Sequence, residues 1–248
     1  MNEKTLTVVI PAFNEQQFIE ELLKKVLAVD LSRLGLRKEI IVIDDCSTDR
    51  TREIARKVAG VTVITQDRNS GKGKAVRKGI EVAKGDYLII QDADLEYDPE
   101  DYVPMLDALV GGAADAVYGS RYLGSHPQRF VNLRGAKHPE QSWTAYLGGR
   151  SLSLVAWVFT RHWVSDTVTA LKLFTRAAIK SIELDSDGFE LDHEITAKIL
   201  ANNLTILEVP ISYFPRSKLE GKKIGLKDWF IAIRTFARYG NRSAIVQS

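Results

Sequence analysis

Tyr87-Leu88-Ile89-Ile90-Gln91-Asp92-Ala93-Asp94 is the stretch that decides the fold. Four apolar residues in unbroken succession read as a strand buried on both faces, and it runs straight into two carboxylates two positions apart. The same pattern recurs on either side. Residues 6–10 form an apolar run that stops at Pro11, and residues 40–43 form a second, followed by Asp44-Asp45-Cys46-Ser47-Thr48-Asp49. Residues 61–64 and 115–118 read as further strands. Between them, Phe18, Ile19, Leu22, Leu23, Val26 and Leu27 recur with helical spacing, with Asn14 expected to cap that helix. Ile54, Ala55 and Val58 mark a second helix, residues 75–83 a third, and Pro99 opens a fourth. This alternation predicts an α/β fold: a mainly parallel sheet with helices on both faces. Ligands bind such sheets at the carboxyl ends of the strands, so residues 11–15, 44–49 and 92–94 should meet at one edge.

The second half is less regular. Residues 120–141 read as a long loop rich in Gly, Pro, His and Arg, residues 142–163 as an unusually apolar helix, and residues 179–182 and 190–201 as helical pieces. Residues 205–209 read as a strand ending at Pro210. Residues 213–223 have no periodicity and are strongly basic, and a last helix is expected from about Leu226 to Arg238. No internal repeat or linker divides the chain, which reads as a single domain over residues 1–248.

The 248 residues are ordinary in balance, with 45% hydrophobic and 27% charged, which excludes disordered and fibrous classes. Lys plus Arg is 34 and Asp plus Glu is 32, so the net charge of +2 argues against a dedicated nucleic-acid binder. A single cysteine, Cys46, excludes a disulfide framework and a Cys-rich zinc site and suits a reducing, cytoplasmic compartment. No apolar run approaches the ~20 residues of a membrane span, and the N-terminus lacks a signal-peptide pattern.

Three motifs carry chemistry. Asp92-Ala93-Asp94 cannot bury two charges unpaired, and suits a hard divalent cation that phosphate oxygens also hold; a solvated turn with helix-capping acids explains it equally when taken alone. In 44–49, helix capping accounts for Ser47, Thr48 and Asp49, but not for Asp44 and Asp45 directly after Ile43, where carboxylates suit a base or a ribose. Asn69-Ser70-Gly71-Lys72-Gly73-Lys74 opens a helix, where glycines permit close backbone approach and the N-terminus attracts phosphate. Its spacing is not that of a Walker loop, and an ordinary flexible loop accounts for it when taken alone.

Together these segments resemble the family-2 inverting nucleotide-sugar glycosyltransferases. The likeness is carried in order by Val9-Ile10-Pro11-Ala12-Phe13-Asn14-Glu15, Ile43-Asp44-Asp45-Cys46-Ser47-Thr48-Asp49, Gly71-Lys72-Gly73, Asp92-Ala93-Asp94 and Gly119-Ser120-Arg121. Gly188-Phe189-Glu190-Leu191-Asp192-His193-Glu194 and Val209-Pro210-Ile211-Ser212-Tyr213 extend it over most of the chain, closest to the dolichyl- or polyprenyl-phosphate sugar synthases. The resemblance implies the GT-A fold, with residues 1–121 as the nucleotide-sugar half and 122–248 as the acceptor half. It places Pro11, Phe13 and Glu15 in a nucleoside pocket, Asp44 and Asp45 on base or ribose, and Lys72, Asp92 and Arg121 in the nucleotide site. Asp94, helped by Glu96, would hold Mg²⁺ or Mn²⁺ on the diphosphate. Cys46 stands where glycine is common and Phe13 where tyrosine is common.

Glu190, Asp192, His193 and Glu194 cluster at one helix start, where acids are also favoured by the dipole alone. A hydroxyl acceptor needs a general base, for which Asp192 is the candidate; an ionised phosphate acceptor needs none. His193 suits a metal ligand or a donor to the diphosphate. Arg216, Lys218, Lys222 and Lys223 suit an anionic acceptor or the leaving diphosphate, with Arg216 making the main contact. The last helix carries Trp229, Phe230, Ile233 and Phe236 as an apolar stripe and Lys227, Arg234 and Arg238 elsewhere. It suits either a peripheral membrane surface or packing on the domain, and residues 142–163 pose the same choice. The expected reaction is metal-dependent transfer of a hexose from a UDP- or GDP-sugar to a polyprenyl or dolichyl phosphate. The alternatives are a soluble or glycan hydroxyl acceptor, and nucleotide-sugar binding without catalysis.

Overall fold

The computed structural model describes residues 3–112, 114–123, 143–214 and 226–240, with the backbone alone for 143–146 and 226–228. In chain order the strands are β1 (Lys4–Ala12), β2 (Leu36–Asp44), β3 (Val61–Thr65), β4 (Tyr87–Ile90), β5 (Ala116–Ser120), β6 (Lys172–Thr175) and β7 (Ile206–Pro210). The helices are α1 (Ile19–Ala28), α2 (Thr51–Lys57), α3 (Lys72–Val82), α4 (Tyr102–Val110), α5 (Trp143–Thr160), α6 (Arg176–Lys180), α7 (Leu191–Ala201) and α8 (Leu226–Tyr239). The strands form one sheet in the order β3-β2-β1-β4-β6-β5-β7. All neighbours are parallel except β6, which runs antiparallel to both β4 and β5.

The unbroken apolar runs of β1 and β4 follow from burial on both faces. Leu6, Val8 and Ile10 pack with Ile19, Leu22 and Val26 of α1 and with Tyr102, Met105 and Leu106 of α4. Val9, on the opposite face, joins Val76 and Ile80 of α3, and Ile195 and Ile199 of α7. A smaller cluster joins Ala156 of α5, Ala197 of α7, and Phe236 and Tyr239 of α8.

Four expectations need correction. β6 was not foreseen: it is four residues long and opens on Lys172, whose charge breaks the apolar pattern. Asn14 does not cap α1, which is preceded by Phe18 with no side-chain cap. Asn14 sits in a left-handed turn (φ 56°), and its side-chain oxygen accepts from the Thr48 N–H at 2.8 Å. The helix expected over 179–182 begins at Arg176 instead, because the Thr175 hydroxyl caps it by accepting from the Ala178 N–H. Pro99 opens a short 3₁₀ turn, Pro99–Asp101, from which α4 continues. Most of the loop expected at 120–141 and of the basic segment at 213–223 lies outside the described residues. No helix among the described residues is long and apolar enough to cross a membrane.

Candidate active site

Because β2, β1 and β4 are adjacent and parallel, their carboxyl ends bring the three acidic and polar segments together. Between them lies a cavity of about 360 Å³. Pro11, Phe13, Glu15, Asp45, Lys72, Asp92 and Asp94 line it, joined by Asn69, Gly71 and Phe189.

Asp45 organises the wall nearest β2. Its carboxylate accepts from the N–H groups of Ser70 and Gly71, both at 2.8 Å, and from the Gln66 amide at 2.9 Å. These bonds fix the loop leading into α3. The glycines there permit the expected close backbone approach, and the backbone that approaches is the chain's own. A Cβ on Gly71 (φ 96°) would lie 2.4 Å from the Asp187 carbonyl oxygen, and one on Gly73 would lie 2.6 Å from that of Ser186. Gly71 and Gly73 thus make room for the backbone of residues 186–188, and Asp187 accepts from the Lys74 N–H at 3.1 Å. Part of the start of α3 is therefore closed by the chain itself, and Arg77 adds bonds to the Asp185 carbonyl and the Asp187 carboxylate.

A line of alternating charges enters the cavity from the core. Lys172 has a fully buried side chain; its Nζ lies 2.9 Å from Asp192 Oδ1 and donates also to the Thr169 carbonyl. Lys72 Nζ lies 3.4 Å from Asp192 Oδ2 and reaches Asp92 at 2.9 and 3.0 Å. Burial opposes ionisation of Asp192, but Lys172 and Lys72 outweigh it and hold its carboxyl at about 2. Burial likewise opposes the charge on Lys72, yet Asp192 and Asp92 hold it above the usual lysine range. Lys72 also lies 5.6 Å from the centre of the Phe189 ring.

Several expected site residues stand elsewhere. Asp44 is fully buried, paired with Arg52 Nε at 2.9 Å and accepting from the Ser47 N–H, so it does not line the cavity. Glu96 accepts from the Tyr213 hydroxyl at 3.1 Å and stands outside the cavity lining. The His193 ring, one residue around α7 from Asp192, packs on Phe236 of α8, 5.5 Å between centres. Arg121 is gripped by Asp166, with Nε and Nη2 each at 2.7 Å, and its guanidinium lies 5.1 Å from the Tyr213 ring centre. Arg216 lies outside the described residues.

No group of three or more His, Cys, Asp and Glu among the described residues is arranged to hold a metal. Asp94, Glu96 and His193 form no such group among the described residues. The chemistry of the cavity still fits a divalent cation. Asp92 and Asp94 present hard oxygen donors on one wall, and Mg²⁺ or Mn²⁺ is commonly held by one or two carboxylates together with substrate phosphates.

Sequence reasoning missed Lys172, Asp166 and Glu208. Glu208 accepts from the N–H groups of Ser165 and Asp166, at 2.7 and 3.0 Å, and so holds the turn that carries the Arg121 partner. A lysine within Leu171-Lys172-Leu173 was the available signal, because a charge inside an apolar run demands a buried partner.

Comparison with known proteins gives the family and the fold. The family described as "Glycosyl transferase family 2" matches residues 7–180. A dolichol-phosphate mannosyltransferase of Pyrococcus furiosus is 31% identical, over 88% of this chain and 60% of its own length. A low-salt glycan biosynthesis hexosyltransferase, Agl6 of Haloferax volcanii, is 34% identical, over 86% of this chain and 48% of its own. The chain thus spans about half to three-fifths of those two relatives. Among solved structures, glucosyl-3-phosphoglycerate synthase from Mycobacterium tuberculosis, in complex with Mn²⁺, UDP and glucosyl-3-phosphoglycerate, superposes with a TM-score of 0.69. It covers 93% of this chain and 76% of its own at 19% identity, a likeness of fold.

Proposed function

The chain belongs to glycosyl transferase family 2, with the GT-A fold, and on that premise we propose that it transfers a hexose, with inversion, from a UDP- or GDP-sugar to a polyprenyl or dolichyl phosphate. The observation that carries the choice of acceptor is the state of Asp192. A hydroxyl acceptor must lose a proton during transfer, which calls for a base with a pKa near the working pH. Asp192, locked between Lys172 and Lys72 and held at about 2, is a poor base. A phosphate acceptor arrives ionised and attacks without one. The dolichol-phosphate mannosyltransferase and a dolichyl-phosphate beta-glucosyltransferase of Saccharomyces cerevisiae, 28% identical over 89% of this chain, support the same reading.

In this mechanism the nucleoside lies against Pro11, Phe13 and Glu15, with Asp45 beside it. Asp94, with Asp92 adjoining, would hold Mg²⁺ or Mn²⁺, which supplies charge neutralisation for the departing diphosphate. Lys72 adds a positive charge on the same wall, and Arg216 is assigned to the anionic groups on the acceptor side.

A membrane-facing surface accords with a lipid acceptor. Leu147, Leu154, Trp157 and Val158 of α5, Trp163, and Phe230 of α8 are exposed, and α5 packs on α8. Arg234 and Arg238 of α8 are exposed too, while Phe236 and Tyr239 turn into the core. Trp229 docks on α5 through a bond from its indole N–H to the Ser151 hydroxyl at 3.1 Å. Exposed apolar and aromatic groups beside arginines suit the peripheral surface of an anionic bilayer.

The test is transfer of radiolabelled hexose from UDP- and GDP-sugars, with Mn²⁺, to a short-chain polyprenyl phosphate and to the matching polyprenol. Product with the phosphate and none with the alcohol is expected. Transfer to the alcohol or to a soluble sugar hydroxyl would overturn the acceptor assignment. Failure to turn over or bind any nucleotide sugar would overturn the transferase itself.

A further inference from the structure

Lys172 has no evident place in the chemistry: its side chain is fully buried, it does not line the cavity, and its partners are Asp192, the Thr169 carbonyl and the Tyr118 ring. Its importance lies in the unequal way Asp192 is held. Lys172 approaches Asp192 to 2.9 Å, whereas Lys72 stands off at 3.4 Å and makes its closer contact with Asp92. Asp192 thus has a firm counter-ion inside the core and a looser one on the cavity wall. A buried carboxylate without a counter-ion is strongly unfavourable. Were Lys172 absent, Lys72 would be the nearest lysine left to Asp192 and would be held toward it.

We propose that Lys172 is a positioning residue that satisfies Asp192 from the core and thereby releases Lys72 to bind the nucleotide diphosphate. The inference rests on the reading of the cavity as a nucleotide-sugar site. Lys72 is suited to the move, because lysine is a compact charge on a flexible stem. It lines the cavity already, and Asp192 keeps Lys172 as a counter-ion at 2.9 Å when Lys72 turns to a ligand. The charge line is therefore graded: a fixed pair in the core, Lys172 with Asp192, and an exchangeable cation at the cavity, Lys72. Lys172 contacts no substrate in this scheme and acts only through Asp192 and Lys72.

The experiment is calorimetric titration of UDP and of GDP into the full chain with Mn²⁺, with thermal unfolding as the check on folding. Lys172→Met should weaken diphosphate binding by about thirtyfold or more, the lower end of what losing one member of a buried charge pair costs. Lys172→Met combined with Asp192→Asn leaves no buried charge to satisfy and should return affinity to near the parental value. In a Lys72→Gln background, Lys172→Met should cause no further loss, because the cation it releases is already gone. Parental affinity in folded Lys172→Met would overturn the proposal, and so would an equal loss in both backgrounds, which is a through-space field effect. If Lys172→Met does not fold, the double variant decides: parental affinity supports the proposal, and a loss means that Lys172 acts through packing. A parent that binds neither nucleotide would instead defeat the nucleotide-sugar reading.

Discussion

Lys72 presents its ammonium group almost evenly to the two oxygens of Asp92, at 2.9 and 3.0 Å. A lysine at a helix start and a carboxylate after a neighbouring strand thus share the wall on which a diphosphate and its metal would lie. The acids that remain on that wall define the first prediction.

Asp94→Asn replaces a hard anionic ligand with a neutral amide. Turnover should fall by roughly 10²-fold or more, the scale of losing transition-state charge stabilisation. The melting temperature should stay near parental, because Asp94 sits at a strand end outside the core. EDTA should abolish the parental activity and Mn²⁺ restore it, in the same transfer assay.

Asp192→Asn leaves the ammonium of Lys172 buried without its partner. Loss of one member of a buried pair predicts destabilisation of about 3–5 kcal/mol, read as a fall in melting temperature of about 10 °C. The parental carboxyl is depressed to about 2, so its contribution is complete above the unfolded value of 3.8 and is lost as pH falls through 2. Acid unfolding of the variant should lack that component.

Asp101 behaves in the opposite sense. Burial lifts its carboxyl to about 7, against the Ser212 N–H that it accepts at 2.7 Å. The folded chain keeps a proton there that the unfolded chain releases near 3.8. Stability from this group is complete below about pH 4 and is lost as pH rises through 7. Asp101→Asn keeps an acceptor for Ser212 and should raise the melting temperature at about pH 8 by roughly 2–4 °C, with little change at pH 4. Thermal unfolding across that range checks it.

Gly73→Ala places a methyl group within 2.7 Å of the backbone at Asp187 and Gly188. Backbone cannot yield as a flexible side chain does, so a loss of about 1–3 kcal/mol is expected. Residues 186–188 should also exchange their amide hydrogens faster, which mass spectrometry after deuterium labelling would show.

The strand runs of β1, β2 and β4 were legible because burial on both faces writes an unbroken apolar word, and parallel order then put their acidic ends together. That order brought segments 11–15, 44–49 and 92–94 to one edge, while the choice of Pro11, Phe13, Glu15, Asp45, Lys72, Asp92 and Asp94 within and beside them came from the family resemblance; all seven line the cavity. Asp44 and Asp45 were indistinguishable in sequence, because adjacent residues leave a strand in opposite directions; Asp44 turned to Arg52 and Asp45 to the loop before α3. His193 parts from Asp192 for the same reason on a helix, where a step of one residue carries a side chain about 100° around the axis, here onto Phe236. Lys172 and β6 were hidden because a charge inside a four-residue strand reads as an interruption until its partner, 20 residues away, is known.

The reversed strand β6 also sets the order in which the sheet is completed. β4 and β5 follow one another in sequence but do not pair, since β6 lies between them, and both sheet neighbours of β5 come later in the chain. As the protein leaves the ribosome, β1 to β4 have partners at once, but β5 waits for residues 172–175 and 206–210. Until then the growing sheet ends at an open β4 edge, a template for pairing with another nascent chain. Closing it requires contacts distant in sequence, the slow kind to form. The strand that brings Lys172 to Asp192 is thus also the one on which completion of the sheet depends.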